Sequence, residues 1–167
     1  MQLSLRKASP DDGADVYRFL QLLPADENGF INSVAGKTFE EFRLWLQGAV
    51  AGSQQVGIAD GWKVPQTVYW LYLDGYPIGI GKIRHFLTDS LKEAGGHLGI
   101  SIHPAFRGKG YGKAFLNLLK DECRLLGIDE ILCTIRNENR ASIQMALACG
   151  GVLNRITEKR NYITIPL

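Results

Sequence analysis

Seven consecutive residues, Arg107-Gly108-Lys109-Gly110-Tyr111-Gly112-Lys113, have the types and spacing to do chemistry. Glycines at every second position carry no Cβ, so the backbone can turn tightly there and come close to a ligand. The segment lies between a strand pattern and a helix pattern. N–H groups at a helix start lack intrahelical acceptors, and the helix dipole favours negative charge beside them. Arg107, Lys109 and Lys113 add cations around the same turn. Such a turn meets the physical requirements for holding a diphosphate. The same residues exclude two nucleotide motifs. A Walker loop needs a glycine where Arg107 stands and a hydroxyl where Ala114 stands. A dinucleotide fingerprint beginning at Gly108 needs a glycine at Lys113, and the strands before it read as hairpins and not as a βαβ unit.

Other reactive side chains are few. Cys123, Cys133 and Cys149 form no CxxC pair and fall in a helix, a strand and a helix end. They read as reduced thiols used for packing. His85, His97 and His103 are the histidines, and an ordinary imidazole titrates near 6.5, in the range useful for proton transfer at neutral pH. His103, beside Pro104 at a strand end, reads as structural.

The elements that must position these residues follow from periodicity. Leu3 to Ala8 alternates as a half-buried strand. Ser9-Pro10-Asp11-Asp12 supplies a helix start for a stripe of Val16, Phe19, Leu20 and Leu23, which Pro24 ends. Ala25 to Lys37 reads as loop. Thr38 and Glu41 form a capping box that opens a second helix through about Val50. Gly52 to Pro65 is loop again. Thr67 to Leu73 and Tyr76 to Phe86 are strands joined by the hairpin signal Asp74-Gly75. A strand over His97 to His103 stops at Pro104. A helix from about Gly110 to Leu126 puts Phe115, Leu118, Leu119, Cys123 and Leu126 on one stripe, with Gly127 as its stop. Glu130 to Ile135 is a strand, Arg140 to Cys149 a short helix, and Val152 to Ile156 and Tyr162 to Ile165 the last strands. The order is β-α-α-β-β-β-α-β-α-β-β.

The 167 residues are 46% hydrophobic and 22% charged, the composition of a folded globular chain. A chain of this size buries about 70% of its unfolded surface, so one domain over residues 1–167 is expected. Nineteen Lys and Arg against 17 Asp and Glu leave a formal charge of +2. That balance gives no footprint for nucleic acid and no polybasic patch for membranes. No apolar run nears the ~20 residues of a membrane span, and the start, MQLSLRKASPDDG, lacks the apolar core of a signal peptide. A cytoplasmic location is expected.

Arg107, Gly110 and Gly112 fill the pattern Gln/Arg-x-x-Gly-x-Gly/Ala, which resembles the acyl-CoA signature of the GCN5-related N-acetyltransferases. The strand and proline before the loop, the helix after it, Asn139-x-x-Ser142 and the order of elements resemble that family as well. The stretches Ile83-Arg84-His85 and Gly95-Gly96-His97 look like an uncharacterised bacterial branch of it. The resemblance implies an α/β (α+β) fold, with a mixed, mostly antiparallel twisted sheet of about seven strands flanked by about four helices. It implies direct transfer of acetyl from acetyl-CoA to a primary amine, with a small-molecule acceptor expected and no metal. A protein or peptide amine, or a non-catalytic acyl-CoA sensor, is the alternative. Exposed strand edges allow a homodimer, as in many relatives.

The resemblance also implies roles. The N–H groups of Gly108, Lys109, Gly110, Tyr111, Gly112 and Lys113 hold the CoA pyrophosphate, with Arg107 and Lys109 as side-chain support. The strand carrying Ile100, Ser101 and Ile102 splays from Glu130–Ile135 and binds the pantetheine arm through its exposed edge, as an added strand would. A backbone N–H there faces the thioester carbonyl. Asn139 contacts the arm or caps its helix. His97 stands where many relatives carry a glutamate base, and His85 is a second candidate. Ala146 stands where relatives carry the tyrosine that protonates the leaving thiolate, so either another donor serves, with Tyr162 the candidate acid, or the thiolate leaves unassisted. For the acceptor, Asp26, Glu27, Asn28, Trp45 and Trp70 are candidates for an acidic, aromatic pocket around a cationic amine.

Overall fold

Asp74 and Gly75 both take positive φ (49° and 86°), the pair of left-handed residues a two-residue type I′ hairpin needs. The hairpin they close is the centre of the fold. The computed structural model describes residues 1–54 and 61–167, and the remainder of the expected loop Gly52–Pro65 lies outside the described residues. In chain order the elements are β1 (Leu3–Lys7), α1 (Ala14–Gln21), β2 (Asp26–Glu27), β3 (Phe30–Ile31) and α2 (Phe39–Ala51). They continue with β4 (Gln66–Leu73), β5 (Tyr76–Arg84), α3 (Asp89–Glu93), β6 (Leu98–Ile102) and a 3-10 turn at Pro104–Phe106. Then come α4 (Tyr111–Leu125), β7 (Glu130–Arg136), α5 (Arg140–Ala148), β8 (Val152–Ile156) and β9 (Arg160–Pro166).

The seven long strands expected from the sequence fall into two antiparallel sheets. One is ordered β1-β4-β5-β6, the other β7-β9-β8. Along β4, Tyr69, Leu71 and Leu73 point into one core while Val68, Trp70 and Tyr72 point into the other. Both faces of the strand are therefore covered, which explains why it reads as a nearly unbroken apolar run. α1 and α2 supply the core with Trp70, through Val16, Phe19, Leu20, Phe42 and Leu46. α4 and the second sheet supply the other, through Phe115, Leu119, Ile131 and Ile163.

Local signals account for most boundaries. At the start of α2, Glu41 N–H donates to Thr38 Oγ1 (3.2 Å) and Thr38 N–H donates to Glu41 Oε2 (2.7 Å), the expected capping box. α1 departs from expectation. Its cap is Gly13, with no side-chain bond, and Asp12 instead accepts from Ser9 N–H and Trp70 Nε1–H, each at 2.7 Å. Two elements were not expected. The supposed loop 25–37 contains a miniature hairpin, β2–β3, turned by Asn28 (φ 53°) and Gly29 (φ 87°). A five-residue helix, α3, is capped by Thr88 and makes the helix count five among the described residues, where about four were expected.

α4 can lie close on β5 because that strand carries glycines beneath it. A Cβ on Gly81 would come 2.8 Å from Phe115 Cζ and 2.9 Å from Leu119 Cδ1. Gly81→Ala is therefore expected to destabilise the protein by about 1–3 kcal/mol through overpacking. Gly48, inside α2, has nothing within 4 Å of its would-be Cβ. Gly48→Ala is expected to stabilise by about 0.5–1 kcal/mol. Chemical denaturation of the two variants checks the opposite signs.

Candidate active site

The two sheets meet between β6 and β7, and they meet at one end only. His97 N–H donates to Leu132 O and Leu132 N–H donates to His97 Nδ1, both at 2.9 Å. Beyond this point β6 pairs with β5 and β7 with β9, so the facing edges of β6 and β7 are unpaired. The expected splay is present. Which groups face the gap follows from ladder alternation. Arg84 N–H donates to His97 O and His103 N–H to Ile78 O, each at 2.8 Å. Odd-numbered residues of β6 thus use their main chain on β5, and even-numbered ones turn theirs to the open edge. Ile100 is available there. Ser101, buried, is not, which removes it from the expected set. Ile102 O is already taken by Arg107 Nε–H at 2.9 Å.

β6 leads through the 3-10 turn into the glycine loop. Gly108 and Gly110 take φ of 72° and 85°, and Gly110 caps α4 in the left-handed conformation without a side-chain bond. Among the described residues, none of the N–H groups from Gly108 to Lys113 donates to a protein acceptor. Space is open around both glycines. A row of unpaired donors at a helix start suits a diphosphate. Gly112 serves packing, since a Cβ there would lie 3.0 Å from Met145 Sδ of α5. Tyr111 places its hydroxyl on Met1 Sδ (3.5 Å), and Lys109 Nζ donates to Ala105 O (3.1 Å). Arg107 is bidentate on Glu27, at 2.6 and 3.1 Å, and so joins this loop to the β2–β3 hairpin.

The gap between the sheets opens into a cleft of about 500 Å³. Its walls include Leu98, Gly99 and Ile100 of β6, Cys133 to Arg136 of β7, and Asn139, Ser142, Met145 and Ala146. The β2–β3 hairpin closes one side. Phe30 lies against Gly99, where a Cβ would be 3.2 Å from its ring, and Lys82 Nζ donates to Ile31 O at 2.8 Å. Asn139 both lines the cleft and caps α5, its Oδ1 accepting Ser142 N–H at 3.4 Å.

Several expected residues lie elsewhere. His97 is not on the cleft wall; it borders a separate, smaller depression with His85, Lys92 and Leu132. Burial, and then the nearby Arg84 charge, push its imidazole down to about 4. Its lone pair is spent on Leu132, so it serves as a fastener between strands and not as the expected base. His85 also lies outside, bonded through Nε2 to Thr67 Oγ1 at 2.7 Å. His103 Nδ1 accepts Ala105 N–H at 3.0 Å, the structural role expected of it. Tyr162, the expected acid, is buried off the cleft, donating to Glu93 O at 2.7 Å beneath the Arg155 guanidinium. Asp26, Glu27 and Asn28 do line the cleft, but Trp45 and Trp70 pack against each other, their rings tilted, in the α1–α2 core. The exposed tryptophan on the wall is Trp62.

Lys82, Arg84 and Arg160 are cleft residues that the sequence reading missed. On β5 the alternation Ile80, Lys82, Arg84 carries one face of the strand out of the core and into the cleft; the change from apolar to basic at period two was the available signal. Burial, and then Arg84, push the Lys82 ammonium down to about 8. Burial likewise pushes the Cys133 thiol up to about 12, which keeps it protonated. Among the described residues no group of three or more His, Cys, Asp or Glu could hold a metal ion, and no helix is long and apolar enough to cross a membrane.

Comparison with known proteins gives a consistent fold. A family model described as an acetyltransferase (GNAT) domain matches residues 2–152. No curated protein matches significantly. Solved structures do. An acetyltransferase of the GNAT family from Streptococcus pneumoniae superposes with a TM-score of 0.64 at 19% identity, over 99% of each chain. The N-acetyltransferase PseH of Campylobacter jejuni, in complex with acetyl coenzyme A, gives 0.64 at 10% identity, again over 99% of each. RimL, a ribosomal L7/L12 alpha-N-protein acetyltransferase in complex with coenzyme A, gives 0.74 at 16%, over 99% of this chain and 94% of that one.

The His97 geometry has a consequence for acid stability. Its folded value of about 4 lies below the ordinary 6.5, so between these pH values only the unfolded chain takes the proton. Stability is therefore complete above pH 6.5 and is lost as pH falls toward 4. The expected loss is roughly 1–3 kcal/mol, partial solvent access reducing the full value. His97→Ala should start less stable at pH 7, with Leu132 N–H left bare, and should lack this acid step. Urea titrations across pH 4–7 check it.

Proposed function

The chain belongs to the GNAT acetyltransferase family, and from that membership we propose direct transfer of acetyl from acetyl-CoA to a primary amine of a small molecule, with residues 1–167 working as one unit. The observation that supports the reading is the presence of two unpaired sets of main-chain groups, the open edge of β6 on the cleft wall and the amides of Gly108 to Lys113 in the loop that follows it, where Gly112 lies against the lining residue Met145. Bound acetyl-CoA supplies the acetyl group as a thioester. The Gly108–Lys113 amides hold its diphosphate, with Lys109 and Lys113 adding positive charge. Ile100, at the open edge, and the Asn139 amide hold the uncharged arm. Solved relatives described with acetyl coenzyme A or coenzyme A support this use of the fold.

An alkylamine of pKa near 10.4 is neutral in only about one molecule in 2,500 at pH 7. A group in the cleft must take its proton. Lys82 is suited to that task, because an ammonium pushed down to about 8 is neutral in about one molecule in ten at pH 7. A departing thiolate has an ordinary pKa near 8.5 and can leave without an acid, in keeping with Ala146 on the wall and Tyr162 away from it. A volume of about 500 Å³ under a tethered hairpin favours a small acceptor over a polypeptide lying in an open groove.

Isothermal titration with acetyl-CoA and assay of free CoA thiol with small amines and with peptides test the reading. Binding in the micromolar range, with turnover of at least one small amine, is expected. Turnover of peptides alone sinks the small-molecule assignment, and binding without turnover on either set points to a sensor. Gly110→Val, strained at φ 85°, is expected to weaken acetyl-CoA binding tenfold or more. Lys82→Met is expected to lower kcat about 100-fold or more while acetyl-CoA Kd stays unchanged.

A further inference from the structure

Among the described residues, the charges lining the cleft do not cancel. Asp26, Glu27, Lys82, Arg84, Arg136 and Arg160 line it. Glu27 is already neutralised by Arg107, which lies outside the lining. Asp26 is exposed on the hairpin, where its Oδ1 accepts Gly29 N–H at 3.0 Å. Four cations remain against that one carboxylate. Among the described residues none of the four forms an ion pair. Positive groups drawn partly out of water are ordinarily paired, so an unpaired set on a cleft wall points to a partner that comes with the ligand.

Two of the four are anchored on either side of one hydrogen bond in the cleft wall. Arg84 Nη1 donates to Gly96 O at 2.9 Å, and the neighbouring Gly95 N–H donates to Thr134 Oγ1 at 2.8 Å. Arg160 Nη1 donates to Thr134 O at 3.5 Å. The two guanidinium groups are thus anchored on two segments, Gly96 before β6 and Thr134 of β7, which the Gly95–Thr134 hydrogen bond joins, and both are half-buried. Each has five N–H donors and uses one in these bonds. A guanidinium fixed at one corner, with a fork of donors left over, suits a planar carboxylate or a phosphate.

We propose that the acceptor carries an anionic group, a carboxylate or a phosphate, beside its amine, and that Arg84 and Arg160 hold that group. The inference rests on the acetyl-transfer reading and narrows its acceptor. It replaces the acidic pocket for a cationic amine expected from Asp26, Glu27 and the tryptophans. The cofactor's own phosphates have their donors on the Gly108–Lys113 amides, and none of those residues lines the cleft. Gly99, Ile100, Leu116 and Met145 on the wall carry no charge and suit the cofactor's uncharged arm. A polycationic amine would bring like charge toward four cations, a contact that selects against it.

Matched acceptors separate the possibilities: an α-amino acid and its amide, phosphoethanolamine and ethanolamine, and spermidine as polycation. The anionic member of at least one pair is expected to show about 10- to 100-fold higher kcat/KM, with spermidine poorest. Which pair separates identifies carboxylate or phosphate. Arg160→Gln is expected to erase the preference with acetyl-CoA Kd unchanged. Arg84→Lys serves as the second variant, circular dichroism reporting the fold of each. Titration of acetate and of inorganic phosphate into the acetyl-CoA complex reads the same site without turnover. One of them is expected to bind, at least tenfold more weakly in Arg160→Gln. Equal rates within both pairs, a preference for spermidine, absence of anion binding, or an Arg160→Gln defect confined to acetyl-CoA affinity would each overturn the proposal. With acetyl-CoA binding intact, such results leave the transferase reading standing; a wild-type protein that does not bind acetyl-CoA overturns that reading itself.

Discussion

Two hydrogen bonds between His97 and Leu132 hold the β1-β4-β5-β6 sheet against the β7-β9-β8 sheet at one end of their shared boundary. Everything useful about the site follows from that pin being at one end only. A main-chain N–H or C=O removed from both water and protein is costly, so two strand edges that part must be given other partners. Here the even-numbered residues of β6 face a cleft open to solvent, and a ligand able to pair with them gains bonds the fold itself leaves unmade. An imidazole suits the pin because its neutral ring offers one acceptor where a regular ladder would offer a carbonyl. The same use disqualifies it from taking a substrate's proton.

The fold was legible wherever a local signal and the tertiary outcome agreed. The capping box of Thr38 and Glu41, the Asp74-Gly75 turn, the stripe on α4 and the glycine stop at Gly127 are short-range chemistry, and each is present. Asn28-Gly29 carries the same kind of turn signal, but the strands it joins, of two residues each, have no periodicity to read. The helix α3 is too short for a stripe. Ser9 and Asp12 looked like a helix cap because those residue types favour caps; the partner that won Asp12, Trp70, is 58 residues away.

The candidate site divides along the same line. The glycine loop could be read because its function lies in the backbone of consecutive residues. The histidine, the tyrosine and the tryptophans could not, because a side chain's role depends on which wall it faces. His97 and Leu98 are neighbours in sequence, yet only Leu98 borders the main cleft. Arg84 and Arg160 reach one cleft from strands of different sheets, an arrangement that no spacing within one segment encodes.

The bridge from Arg107 to Glu27 ties the glycine loop to the hairpin that roofs the cleft, and its side chains are 40% and 36% exposed. An ion pair so open to solvent is worth little in itself, and mobile ions screen it over about 8 Å at 0.15 M ionic strength. The firmness of that roof is therefore tied to electrolyte concentration: dilute buffer tightens the bond between loop and hairpin, and concentrated salt slackens it, leaving the Lys82–Ile31 hydrogen bond, whose acceptor is a neutral carbonyl, as the less screened tie.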